Sequence, residues 1–169
     1  MRTLIAAMMG FAILAFLMTG MNPWHLLHQS ILSRDPSFAE AVFKDRAAFN
    51  RALSSIATGP DGCAVAVVQL YDSPALKPSR AAYSPAEPDR FGGWWRNTPL
   101  RMRAPAKHDL LEFCRAHIDA GSRAQLHTAM QAEGTFVILD PQGEVLQIYA
   151  PRPRLAAYLR YTAPAPKQP

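Results

Sequence analysis

Two cysteines, Cys63 and Cys114, are the side chains of this 169-residue chain best suited to redox chemistry. They can form at most one internal disulfide, which is expected if the domain lies in an oxidising compartment and the start of a strand meets a helix. Two buried free thiols, packed as small apolar side chains, are the alternative. Catalysis would need an exposed thiol with a lowered pKa, and Cys114 is predicted to face inward. Both the paired and the free state stay open, and no catalytic residue is assigned.

Three histidines, His108, His117 and His127, could join a cysteine to bind copper or zinc, because imidazole and thiolate suit both metals. Their spacing does not force them together, since His117 and His127 fall on successive predicted helices. Surface histidines are the simpler interpretation, and we predict neither a metal nor another cofactor. The chain also lacks the Gly-x-Ser-x-Gly motif of serine hydrolases and a glycine-rich phosphate loop.

The segment from Tyr83 to Lys107 interleaves aromatic with basic side chains. Tryptophan and arginine are enriched at interface hot spots, and Gly92-Gly93 allows the chain to turn sharply beside the tryptophans. The same side chains could instead fold back over a sheet as a lid, or dip into anionic lipid headgroups. The candidate partner-binding residues are Phe91, Trp94, Trp95, Arg96, Arg101 and Arg103.

An apolar run precedes the part of the chain that carries these residues. No charged residue occurs from Thr3 to Trp24, and about 20 apolar residues suffice to cross a bilayer. We predict an uncleaved anchor over residues 1–24, with a cleaved signal peptide as the alternative, because no Ala-x-Ala cleavage site follows the run. Arg2 is the only charge before the run and predicts a cytoplasmic N-terminus. The chain is therefore expected to cross the inner membrane once, with its folded domain in the periplasm.

Composition predicts one folded domain after the anchor. Hydrophobic residues make up 49% and charged residues 18% of the chain, a balance that excludes disordered and coiled-coil proteins. The domain is predicted over residues 35–162, after a tether over 25–34 and before a disordered tail over 163–169. The net charge of +5 is too weak to indicate nucleic acid.

Hydrophobic spacing and turn residues predict that helices and strands alternate within this domain. In chain order the predicted elements are a helix from Asp35 to the stop at Thr58-Gly59-Pro60, a buried strand over 63–71, an irregular segment over 72–107 with a short strand from Leu100 to Arg103, helices over 109–121 and 122–134, a hairpin of 135–140 and 144–150, and a helix over 153–161.

The hairpin Gly134 to Tyr149, with its Asp-Pro-Gln-Gly turn, and the segment Leu155-Ala-Ala-Tyr-Leu159 resemble the C-terminal ββα half of the thioredoxin-like superfamily. The resemblance implies an α/β fold: one small thioredoxin-like domain with a central mixed sheet, in which residues 64–71 form the central parallel strand. The family's Cys-x-x-Cys motif is missing, because Tyr71-Asp-Ser-Pro follows that strand. The proline that the family places just before the hairpin is missing too.

Together these features predict a membrane-anchored periplasmic accessory or assembly protein with a degenerate, non-catalytic thioredoxin-like domain. Its partner is expected to be another envelope protein. The alternative is a thioredoxin-like thiol-disulfide oxidoreductase or a copper-handling metallochaperone that uses Cys63, Cys114 or His127.

Overall fold

Ten short elements lie within the residues of the folded domain that the structure describes. The computed structural model describes residues 36–80, 89–99 and 109–162. The helices are α1 (Ser37–Phe43), α2 (Leu110–Phe113) and α3 (Ala120–Gln131), with a 3-10 turn at Arg115–His117. The strands are β1 (Phe49–Ile56), β2 (Cys63–Leu70), β3 (Arg96–Asn97), β4 (Phe136–Leu139), β5 (Val145–Ala150) and β6 (Leu155–Tyr161). They form one six-stranded sheet in the order β1-β2-β6-β5-β4-β3.

The sheet separates two hydrophobic cores. Because side chains alternate along a strand, Val65 and Val67 of β2 pack in the core that contains α2 and α3, while Ala66 and Val68 pack in the core that contains α1. β2 and β6 lie side by side near the middle of the sheet, and both are covered on their two faces. Such strands show continuous apolar runs instead of an alternating pattern.

The predicted α/β class, a thioredoxin-like domain with a mixed sheet, is wrong. In the described ranges all five strand pairings are antiparallel, and this part of the protein is mostly β with few helices. The closing helix predicted over 153–161 is wrong too, since Leu155–Tyr161 is the strand β6. This strand pairs with β2 on one side and β5 on the other, and β2 therefore has no parallel neighbour. The buried strand predicted at 63–71 is confirmed, but its partners are not those expected.

The long helix predicted from Asp35 is wrong beyond Phe43. There α1 ends, Asp45 turns the chain with a φ of 59°, and Phe49–Ile56 forms β1. Two register shifts interrupt the pairing of β1 with β2 within the first six residues of β1. A bulge adds one residue and shifts the alternation of side chains. Apolar residues in β1 consequently recur at the three- to four-residue spacing that is typical of a helix.

The part of the domain from Asp109 to Ala150 agrees better with prediction. The hairpin is confirmed: β4 and β5 pair across the turn, and the Asp140 N–H donates to the Val145 carbonyl at 3.1 Å. Two helices precede it, as expected, with different limits. The first ends at Phe113, and α3 begins before the predicted stop at Gly121 because the Asp119 side chain accepts the Ser122 N–H at 2.8 Å and caps the helix.

Across the three described ranges, no helix combines the length and the apolar character that crossing a bilayer requires. The predicted anchor at 1–24, the tether at 25–34, the tail at 163–169 and the short strand at 100–103 lie outside those ranges.

Candidate partner-binding surface

Trp94 is exposed over 92% of its surface, more than any other large apolar side chain among the described residues. The aromatic side chains near it in sequence, Phe91 and Trp95, are more buried. Phe91 is only 2% exposed, and Trp95 is half-buried with its ring centroid 5.0 Å from that of Phe91. The predicted aromatic set therefore divides into two side chains that cover the sheet and one that points to solvent.

Phe91 is the centre of an aromatic cluster under the segment that carries Trp94, and we define this aromatic support as Phe43, Phe91, Trp95 and Tyr149. The ring centroid of Phe91 lies 4.5 Å from that of Phe43 and 6.4 Å from that of Tyr149. The Phe91 N–H also donates to the Val42 carbonyl at 2.9 Å, which joins the segment to the end of α1. Both the ring and the backbone of Phe91 are thus fixed.

The two glycines between Phe91 and Trp94 bring the chain close to the sheet. The Gly92 N–H donates to Oε1 of Gln147, a buried side chain of β5, at 2.8 Å. Gly93 has a φ of 138°, and a Cβ there would lie 3.1 Å from Cδ1 of Ile138. A residue with a side chain would be strained at this position. The glycines therefore hold the backbone in the path that presents Trp94.

Polar contacts fasten the start of the same segment. Asp89 accepts a hydrogen bond from the Tyr158 hydroxyl at 2.9 Å and lies 3.1 Å from Nη1 of Arg160, both on β6. The segment 89–95 is thereby attached to β5, β6 and α1. Binding through Trp94 would cost little backbone entropy, because the chain that carries it is already ordered.

A second segment crosses the same aromatic support. The Tyr149 hydroxyl donates to the Ala75 carbonyl at 2.7 Å, and Nε1 of Trp95 donates to the Ser79 carbonyl at 2.9 Å. These bonds hold residues 75–80 against Tyr149 and Trp95. We define the Trp94 surface as the exposed side chains of Trp94 and Arg96.

Arg96 belongs to this surface through β3, the edge strand that pairs with Phe136 and Val137 of β4. The other two predicted arginines, Arg101 and Arg103, lie outside the described residues. Leu76 and Lys77 did not emerge from the sequence as candidates. Leu76 is 83% exposed. The only feature of the sequence that could have indicated this exposure is its position in a proline-containing segment outside the predicted helices and strands.

Cys63 and Cys114 form a disulfide with their Cα atoms 5.8 Å apart. The bond joins the start of β2 to the end of α2. Both residues are 0% exposed, within the core that α2 and α3 cover. Thiol exchange needs an accessible sulfur, so this arrangement favours a structural role for the bond.

Asp61 and His117 are hydrogen-bonded to each other beside the disulfide. Nε2 of His117 lies 2.9 Å and 3.0 Å from the two carboxylate oxygens, and the carboxylate also accepts the Cys63 N–H at 3.1 Å. Burial raises the pKa of Asp61, but the hydrogen bonds from His117 and Cys63 outweigh it and leave the pKa below its ordinary value. Ser54 Oγ donates to the His117 carbonyl at 2.5 Å. We name these contacts the Asp61 clamp, which holds the 3-10 turn against β1 and β2.

The prediction of a surface side chain for His117 is wrong, since this side chain is 14% exposed and pairs with Asp61, 56 residues away. No local pattern connects residues so distant. His127 lies half-buried on α3, and His108 is outside the described residues. In the part of the chain that the structure describes, no group of three or more His, Cys, Asp and Glu side chains could hold a metal ion.

Comparison with known proteins assigns this chain to no family. No family model matches it, no curated protein matches it, and no solved structure matches it. The resemblance to the thioredoxin-like superfamily therefore stays a prediction from the sequence, and the function has to be inferred from the domain itself.

Proposed function

We propose that this protein is a non-catalytic accessory or assembly factor of the cell envelope, and that its domain binds another envelope protein through the Trp94 surface. The observation that carries the proposal is the 92% exposure of Trp94 on a fixed support. Burying a tryptophan of up to about 250 Å² would contribute roughly 5 kcal/mol before the costs of association are subtracted. That gain is obtained when another molecule covers the side chain.

Two features support the envelope as the location. The disulfide between Cys63 and Cys114 is of a kind that persists in oxidising compartments such as the periplasm. The apolar run from Thr3 to Trp24, with Arg2 before it, predicts a single-pass anchor of the inner membrane that leaves the domain outside.

The location is tested by fusing alkaline phosphatase to Pro169 of the full chain. Activity is expected, because the enzyme folds only where disulfides form. An inactive fusion, with fluorescence from a cytoplasmic reporter at the same position, would place the domain on the other side of the membrane.

The binding function is tested by cross-linking the full-length protein in cells and purifying it with its partners. Trp94→Ala should reduce the recovered partner about 30-fold, as expected for a hot-spot tryptophan worth about 2 kcal/mol. Phe113→Ala is the matched control, since Phe113 is also an exposed aromatic side chain, at 42%, but lies on α2, across the sheet from Phe91. Equal recovery with both variants would refute the proposal.

A further inference from the structure

We infer that the Asp61 clamp controls whether the disulfide between Cys63 and Cys114 reacts with thiols. While the clamp is closed the bond is buried and inert, and opening of the clamp exposes a site for thiol–disulfide exchange with a dithiol. This control is independent of the Trp94 surface, because the disulfide lies in the core that α2 and α3 cover.

The clamp and the disulfide join the same two stretches of chain. Asp61 lies two residues before Cys63, and His117 lies three residues after Cys114. Nε2 of His117 is 2.9 Å from Oδ1 of Asp61, and the same carboxylate oxygen accepts the Cys63 N–H at 3.1 Å. The His117 N–H donates to the Cys114 carbonyl at 3.0 Å. The clamp is therefore a second, noncovalent link between the segments that the disulfide joins.

The clamp lies closer to solvent than the disulfide does. Both cysteines are 0% exposed, whereas the side chains of His117 and Asp61 are 14% and 35% exposed. A thiolate has to approach one of the two sulfur atoms directly in order to attack it. Since neither cysteine has any exposed surface, exchange in the folded domain requires that residues around the bond move away.

Gly59 fits tightly against the clamp. Its N–H donates to the Cys63 carbonyl at 2.6 Å. A Cβ at this position would lie 2.7 Å from both Oδ1 of Asp61 and Nε2 of His117, so these two side-chain ends would have to separate to admit it. The sequence thus offers a substitution, Gly59→Ala, that opens the clamp without removing either of its polar groups.

The clamp is a small part of the domain that can open by itself. His117 belongs to a 3-10 turn of three residues, which is held to β1 by the bond from Ser54 Oγ to the His117 carbonyl at 2.5 Å. The neighbouring strand β2 is instead paired with β1 on one side and β6 on the other. Short, partly exposed elements open at a lower free energy than the central strands of a sheet. We therefore expect the turn to open while the sheet remains folded.

Once the clamp is open, a dithiol balances the exchange reaction without any other reactant. One thiolate of the dithiol attacks a sulfur of the Cys63–Cys114 bond, forms a mixed disulfide and releases the other cysteine as a thiolate, which takes up a proton. The second thiol of the dithiol loses its proton, attacks the mixed disulfide and releases the remaining cysteine. Two electrons pass to the protein, so that two cysteine thiols form and the dithiol becomes a disulfide.

The experiment measures how fast dithiothreitol reduces the folded full-length protein, purified in detergent, at a fixed pH and without denaturant. Samples are quenched at intervals with excess N-ethylmaleimide in denaturant, and the modified cysteines are counted by mass spectrometry. Asp61→Asn should raise the rate about fivefold, because it weakens the hydrogen bonds that close the clamp. Gly59→Ala should raise the rate about tenfold, since its Cβ separates the two side chains and populates the open turn.

Two control variants distinguish opening of the clamp from other routes to the bond. Trp95→Ala should destabilise the domain from the opposite face of the sheet, where Trp95 packs on Phe91, and should change the rate by less than about twofold. Phe113→Ala truncates the exposed ring beside Cys114, which lies 4.8 Å from the ring of Tyr161, and should likewise leave the rate nearly unchanged.

The controls also define the results that would overturn the inference. If Trp95→Ala accelerated reduction as much as Asp61→Asn, the bond would be reached by unfolding of the whole domain. A larger effect of Phe113→Ala than of Asp61→Asn would place the opening at α2. An Asp61→Asn rate equal to that of the wild type, or no reduction of any variant without denaturant, would show that the clamp does not control the bond. If Gly59→Ala does not fold, Asp61→Asn decides alone.

Discussion

Trp94 and Trp95 are adjacent in the chain but differ in what their replacement should cost. Trp95 packs on Phe91 and donates to Ser79, whereas Trp94 is exposed. We expect Trp95→Ala to lower the free energy of unfolding by about 2 to 3 kcal/mol, since it removes half-buried packing. Trp94→Ala should change it by less than about 0.5 kcal/mol. Urea denaturation of residues 33–169 measures both.

The two tryptophans therefore separate folding from binding. If Trp94→Ala were as destabilising as Trp95→Ala, Trp94 would be part of the lid, and loss of partner binding in that variant would no longer indicate a contact.

Asp61 gives the domain a stability that depends on pH. Its pKa is below the ordinary value of 3.8 in the folded state, so the contribution is present above that value and is lost as the pH falls through the lower folded pKa. Asp61→Asn should cost about 1 kcal/mol near neutral pH, a modest figure because the Asp61 side chain is 35% exposed.

The test compares urea midpoints of the wild-type and Asp61→Asn domains at about pH 7 and about pH 3. The difference between them should shrink at the lower pH. A difference that is constant over this range would mean that the carboxylate charge is not what stabilises the clamp.

The disulfide fastens α2 to β2. It spans a sequence separation of 51 residues, and closing a loop of this size removes chain entropy from the unfolded state worth about 4 kcal/mol. Replacing Cys63 and Cys114 together by alanine should therefore lower the urea midpoint markedly. A wild-type domain that is unfolded, reduced and then refolded with reductant present should show a similarly lowered midpoint. An unchanged midpoint in the double variant would show that the Asp61 clamp and the core suffice.

β6 lies between β2 and β5 and joins the two parts of the sheet. It pairs with β2 over 155–161 and with β5 over 155–160, so its amides should be among the last to exchange with deuterium. Hydrogen exchange measured by mass spectrometry on residues 33–169 should show this protection over 156–159 together with 65–68. Fast exchange over 156–159 would contradict a central position for this strand.

The length and pattern of these strands also explain where prediction from sequence fails. Leu155 to Leu159 is buried on both faces, so its apolar residues do not alternate, and its leucines and alanines favour a helix. In β1 the bulges disturb the alternation and imitate a helical period. Both errors arise because the helical pattern depends on neighbouring residues, whereas strand pairing joins residues that are far apart in sequence.

At the scale of the whole molecule, the residues from Ser33 to Pro169 form one compact unit with a core on each face of the sheet. A chain that begins at Ser33 should therefore fold without the apolar run. Its circular dichroism spectrum should be dominated by β-structure, and it should elute as a monomer. A strongly helical spectrum would contradict the antiparallel sheet.

Several properties follow from the sequence alone because they depend on neighbouring residues. The apolar run near the N-terminus, the buried strand after Gly62 and the hairpin at Asp140-Pro141 are of this kind, as is the presence of aromatic and basic side chains around Trp94. Other properties depend on contacts between distant residues and were decided only by the tertiary structure. They are the insertion of β6 beside β2, the pairing of Asp61 with His117, and the burial of Phe91 and Trp95 that leaves Trp94 exposed. The physical reason is that the free energy of each depends on which segments share the sheet, a property that no local pattern contains.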